Sequence, residues 1–192
     1  RIDTGGIITD AKTGIIGSYY SVQKKPAVAT TKTDDMVRVT PQASIGWRAP
    51  VSLSGSSSSM VLEPRLQFAY IGGKDRSTDI PNRDSADYRI DEANLFLLNR
   101  YQGYDYLRPG SRADMGLSVV ANDAFVGDVT GFIGASYRLS GKPSSGLTVD
   151  DDDNLSDIVA SLGINPDMPF QINWSGRLAS SDFELNESRT TV

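Results

Sequence analysis

Val37-Arg38-Val39-Thr40-Pro41-Gln42-Ala43-Ser44-Ile45-Gly46-Trp47-Arg48-Ala49-Pro50-Val51-Ser52-Leu53 alternates apolar and polar residues almost without interruption. Val37, Val39, Pro41, Ala43, Ile45, Trp47, Ala49, Val51 and Leu53 fall on one face, and Arg38, Thr40, Gln42, Ser44, Gly46 and Arg48 on the other. A helix with 3.6 residues per turn would scatter both sets around its circumference. A strand sends successive side chains to opposite faces, so this stretch is a strand. It is also long, since strands of soluble proteins usually run about 5–6 residues.

The pattern recurs along the chain. Met60, Leu62, Pro64, Leu66, Phe68 and Tyr70 oppose Glu63, Arg65 and Gln67, and Ala113, Met115, Leu117 and Val119 oppose Arg112, Asp114 and Ser118. Phe125, Val129, Ile133, Ala135, Tyr137 and Leu139 oppose Asp128, Thr130, Ser136 and Arg138. Ile158, Ala160, Leu162 and Ile164 oppose Asp157, Ser161 and Asn165, and Phe170, Ile172, Trp174 and Leu178 oppose Gln171, Asn173, Ser175 and Arg177. None of these apolar faces carries a charge. Weaker strands are expected at residues 2–9, 15–22 and from 183 onward, giving about nine, each near the 9–11 residues that cross a bilayer at a tilt. Pro41 and Pro64 interrupt strand patterns, where each removes a ladder donor, so a local bulge or missing bond is expected at both.

Connections alternate in length. Residues 10–14, 54–59, 122–124 and 166–169 form short ones, 23–36, 72–111 and 140–154 long ones, and only 180–182 breaks the order. Outer-membrane barrels have short periplasmic turns and long extracellular loops, which a soluble sandwich has no reason to imitate. Alternation by itself also fits a soluble β-sandwich binding module with its apolar face inward, and a passive porin would share every strand feature. Trp47, Tyr70, Phe125, Tyr137 and Phe170 near strand ends suit interfacial girdles as well as an ordinary core.

Composition narrows the functional classes. The 192 residues include neither Cys nor His, which removes disulfides, thiol nucleophiles, His-based triads and most metal cages. A net charge of −5 without a Lys/Arg cluster argues against nucleic acid. No apolar run approaches the roughly 18 residues of a membrane helix. The start, Arg1-Ile2-Asp3-Thr4, is neither a signal peptide nor a natural beginning, so the chain reads as an internal fragment. Ser21-Val22-Gln23-Lys24 and Lys12-Thr13-Gly14 match penicillin-binding patterns by chance, in reversed order and without S-D-N. Asp150-Asp151-Asp152-Asp153 lacks the interleaved spacing of a calcium loop and reads as solvated. No enzyme activity and no cofactor are expected.

Residues 72–111 are too long for a passive turn and too rich in Leu95, Phe96, Leu97, Leu98, Tyr101 and Tyr104 for disorder. Within them stand Ile80-Pro81-Asn82, Asn94-Leu95-Phe96 and Asn99-Arg100-Tyr101-Gln102-Gly103-Tyr104-Asp105. That run resembles the signature segment of the lipopolysaccharide-assembly outer-membrane protein family, LptD or organic-solvent-tolerance protein. Arg38-Val39-Thr40-Pro41-Gln42, Leu62-Glu63-Pro64 and Asn186-Glu187-Ser188 resemble strand starts of the same family, so the likeness spans about residues 37–190. The chain departs from it after Asp105, where Tyr106-Leu107-Arg108-Pro109 replaces an Arg followed by acidic and glycine residues.

The resemblance implies an all-β fold. Residues 1–192 would be a partial domain, an arc of about nine antiparallel strands in a large transmembrane barrel, with an extracellular loop at 72–111. It implies a non-catalytic conduit in the outer membrane of a Gram-negative bacterium that inserts lipopolysaccharide into the outer leaflet. Implied partners are lipopolysaccharide, outer-membrane lipid, an LptE-like plug lipoprotein and periplasmic bridge proteins reached through an absent N-terminal jellyroll. Asn94, Leu95, Phe96, Asn99, Arg100, Tyr101, Gly103, Tyr104 and Asp105 form the family-motif loop, expected to fold over or into the lumen on its aromatics. Arg38, Gln42, Arg48, Glu63, Arg65, Arg112, Asp114, Asp128, Arg138, Asp157, Asn173 and Arg177 would face that lumen or the plug.

Overall fold

In the computed structural model of the chain the described residues are 1–24, 32–74, 90–100, 103, 105, 107, 109–123, 127–141, 154–165 and 170–192. Among them lie ten strands: β1 (Ile2–Thr4), β2 (Ile7–Lys24), β3 (Lys32–Arg48), β4 (Val51–Ser54), β5 (Ser58–Ile71), β6 (Gly110–Asp123), β7 (Gly127–Gly141), β8 (Ile158–Asn165), β9 (Ile172–Leu178) and β10 (Leu185–Thr191). Every pairing is antiparallel and joins neighbours in sequence, except that β3 and β4 both lie along β5. The ten strands therefore fill nine positions of one all-β sheet.

The N-terminal strands depart from their sequence expectation. No turn interrupts residues 10–14; Asp10, Lys12 and Gly14 pair with Gly46, Ser44 and Gln42 inside one unbroken strand. The turn lies earlier, at Gly5 and Gly6, whose φ of 60° and 84° suit a two-residue hairpin that needs positive φ at both central positions. The misreading has a physical source: Asp, Lys and Gly resemble turn residues, but here they occupy alternate positions on the polar side of a long strand. Lengths depart too. β2 and β3 have 18 and 17 residues and β5 to β7 have 14 to 15, while β8 to β10 have only 7 or 8.

Neither proline makes a bulge. Register shifts occur at Ser111/Arg112 and Leu185/Glu187, and the ladder runs evenly through Ile15↔Pro41 and Pro64↔Leu117. Pro64 accepts a bond from the Ala49 amide at 3.2 Å, so its missing donor would also have faced that strand, where it breaks at Ala49-Pro50. Pro41 accepts from the Gly72 amide at 2.7 Å, one residue past the end of β5. Each proline spends its lost donor where the neighbouring ladder has already stopped.

Burial runs opposite to that of a soluble sheet. On β3, Arg38, Thr40, Gln42 and Ser44 are buried, whereas Val37 and Val39 are 64% and 57% exposed. The inversion continues across β5, β6 and β7: Gln67, Asp114 and Ser136 are buried, while Phe68, Met115, Leu117, Ile133 and Leu139 are exposed. A soluble antiparallel sheet covers its apolar face and leaves the polar one wet. The buried apolar cluster is small, comprising Leu95, Phe132 and Val159 with Ile90 and Phe96 packed against it.

Candidate functional site

The covering of the polar face comes from the segment between β5 and β6. Its described part begins with a turn that closes on its own side chains. Asn94 Oδ1 accepts from the Asp91 amide at 3.0 Å, Asp91 Oδ1 accepts from the Asn94 amide at 2.9 Å, and the Leu95 amide donates to the Asp91 carbonyl at 3.0 Å. This is the reciprocal logic of a capping box, which lets a short polar turn satisfy itself without a sheet. It leaves Leu95 and Phe96 free to turn toward the strands.

The strands receive them in a depression. Antiparallel register sets Gly116 directly opposite Gly134, both on the polar face. A Cβ on Gly134 would lie 2.6 Å from Leu95 Cδ2, and one on Gly116 would lie 2.9 Å from the Phe132 ring and 3.1 Å from that of Phe96. Only glycine admits such an approach. Leu95 is fully buried there, and Phe96 meets Phe132 edge to face with centroids 6.4 Å apart. The Arg65 guanidinium lies 5.9 Å over the outer ring of this pair, Phe96.

A polar anchor sits beside the seat. Register aligns Gln67, Asp114 and Ser136 in one row across β5, β6 and β7. Asp114 is completely buried and accepts from Gln67 Nε2 at 3.1 Å, Ser136 Oγ at 2.7 Å and Arg112 Nε at 3.2 Å. From the segment, Arg100 Nη2 donates to the same carboxylate, to Ser136 Oγ at 3.1 Å and to the Leu95 carbonyl at 2.7 Å. A carboxylate without water requires compensation of this kind, and two guanidiniums with two neutral donors provide it. Further bonds run from strand side chains to segment carbonyls: Gln67 to Phe96 at 3.2 Å, Arg112 to Leu97 at 2.5 Å and to Leu98 at 3.1 Å, and Arg38 to Asp105 at 2.7 Å. Arg38 also donates to the Tyr20 hydroxyl at 2.7 Å, and Ser161 bonds Glu92.

The residues singled out by sequence fall into separate groups on this face. Arg112 and Asp114 lie under the segment, with Arg38 and Gln42 buried on β3. Glu63 sits between Arg65 at 2.5 Å and Arg48 at 3.5 Å. Asp157 and Glu187 flank Arg177 at 3.9 and 3.3 Å. Arg138 donates to Asn154, Asn122 to Asp128 and Gln171 to Asn173. In the motif loop, Asn99 donates to the Gly103 carbonyl at 3.3 Å, whereas Tyr101 and Tyr104 lie outside the described residues. Sequence reasoning missed Phe132, Val159, Gly116 and Gly134. Their signal was an apolar Phe and Val on the otherwise polar side of β7 and β8, next to small residues. Among the described residues no cluster of acidic side chains is arranged to hold a metal.

Compared with known proteins, the chain matches the family described as "LptD: LPS transport system D" over residues 3–192. It is similar to the LPS-assembly protein LptD of Shewanella denitrificans (strain OS217), with 29% identity over 94 residues, covering 47% of this chain and 12% of that protein. The chain therefore spans a small part of the length of this relative.

Proposed function

The chain belongs to the LptD family, and from that premise we propose that its sheet is an arc of an outer-membrane barrel wall through which lipopolysaccharide passes to the outer leaflet. The wall is a conduit and holds no chemistry of its own. Its apolar face lies against acyl chains. Its polar face lines a wet lumen, and the segment over Asp114 is an extracellular loop folded back onto that lumen. The polar sector around Arg177, Asp157 and Glu187 is where a plug lipoprotein would rest. Energy for transport would come from other components of the pathway.

The observation that supports this reading is the inverted burial. Leaving Val37, Val39, Leu117 and Ile133 exposed beside buried Arg38 and Asp114 runs against the hydrophobic effect in water. In a bilayer the same arrangement is favourable, because acyl chains cover the apolar side. Leu117 and Ile133 are cross-strand partners far from either end of β6 and β7. Leu117→Arg or Ile133→Arg in the full-length parent protein should each cost about 2–4 kcal/mol and block assembly, while Thr130→Arg on the polar face is tolerated. Heat-modifiable migration of the barrel in outer-membrane fractions reads the result. Wild-type levels of both apolar-face variants would overturn the assignment.

A further inference from the structure

The segment and the wall are joined in a way that permits separation. Among the described residues the backbone-to-backbone bonds of residues 90–100 stay inside the segment, from Leu95 to Asp91 and from Leu97 to Asn94. No ladder ties it to a strand. Its attachments are strand side chains reaching segment carbonyls, an apolar seat on two glycines with Arg65 over Phe96, hydrogen bonds from Ser161 to Glu92 and from Arg100 to Ser136, and the ion pair of Arg100 with Asp114. Of the residues that hold Asp114, only Arg100 comes from the segment; Gln67, Ser136 and Arg112 belong to β5, β7 and β6. With the segment lifted away, the carboxylate would keep a countercharge and two neutral donors. With Asp114 neutralised, Arg100 would keep only the Leu95 carbonyl and the Ser136 hydroxyl.

We propose that Asp114 and Arg100 form a latch that holds the 90–100 segment shut over the polar face, and that its release uncovers this face while the sheet stays paired. The idea rests on the lumen reading above and names the element that regulates access to that lumen. Asp114 is the fixed half, preorganised by the wall, and Arg100 is the moving half. The glycine seat sets where the segment lands and the ion pair sets how long it stays. Arg112 has a second role, since its guanidinium holds the carbonyls of Leu97 and Leu98 only in the closed state.

The test uses full-length protein carrying Leu95→Cys, a position fully buried when the segment is closed, and a membrane-impermeant maleimide added to intact cells. Asp114→Asn and Arg100→Gln should each raise the labelling rate at least tenfold with the amount of assembled barrel unchanged, and Arg100→Lys should return it to within about threefold of the parent. Unchanged labelling in both neutral variants, with the barrel assembled, overturns the latch. Loss of assembled barrel in Arg100→Gln, which alters no strand residue, also overturns it, because the segment would then belong to the wall's own folding. Normal assembly of Leu117→Arg would defeat the lumen reading instead, so the two failures are distinguishable.

Discussion

Glu63 and Asp114 are strand carboxylates on the same face of the sheet, and each lies between two arginines. Glu63 is 15% exposed and faces Arg48 and Arg65, whose side chains are 31% and 41% exposed. Asp114 faces Arg100 and Arg112, exposed by 5% and 16%, and is itself fully buried. The chemistry is the same and the covering differs. Around Glu63, water reaches both guanidiniums and competes for them, so each pair contributes less. Under the segment, each charge depends on its partners, and removing one leaves the other stranded. The contrast shows that the 90–100 segment determines which polar contacts matter, more than the strands that carry them.

Three substitutions sharpen or break that contrast. The largest effect is expected from Asp114→Asn, which strands Arg100 at a cost of about 3–5 kcal/mol to the docked state. Hydrogen exchange at the Leu95 and Leu97 amides should accelerate at least about a hundredfold as the segment opens; unchanged protection would mean the ion pair does not hold it. Gly134→Ala comes next. Its Cβ would press within 2.6 Å of Leu95 Cδ2 and 2.8 Å of the Met115 carbonyl, an overpacking worth about 1–3 kcal/mol that leaves all charges in place. The same exchange measurement separates the contribution of the seat from that of the pair. Glu63→Gln should cost the least, about 0.2–1 kcal/mol in denaturant unfolding, and less still at high salt. A loss equal to that of Asp114→Asn would show that covering is not what divides the two carboxylates.

The fold was largely written in period-two alternation, because side chains on a strand have only two directions and each face here keeps its own polarity. Val37 to Leu53 carries that message alone. Strand ends were less legible: pairing continues after the apolar signal fades, as at Gly141, and Asp10 to Gly14 look like a turn although they pair as a strand. The candidate site was half legible. Arg112 and Asp114 stood out as charges on a polar face and Arg100 as part of a recognisable run, but the residues do not say that these groups meet. That meeting depends on register across three strands and on two glycines that contribute nothing except space. Phe132 was visible as an apolar residue on the wrong side, and its meaning depended on Phe96, which lies 36 positions away.

The row of Gln67, Asp114 and Ser136 also bears on the order of folding. A slip of β6 by one residue against either neighbour would turn Asp114 and Arg112 toward the apolar side, and a slip by two would move the carboxylate away from both donors. Only correctly aligned strands assemble the row, and only the assembled row receives Arg100. Closure of the segment is therefore a late event that can follow alignment but cannot precede it. Closure thus reads out the register of the strands without helping to set it: the segment seats only where a buried charge is fully answered.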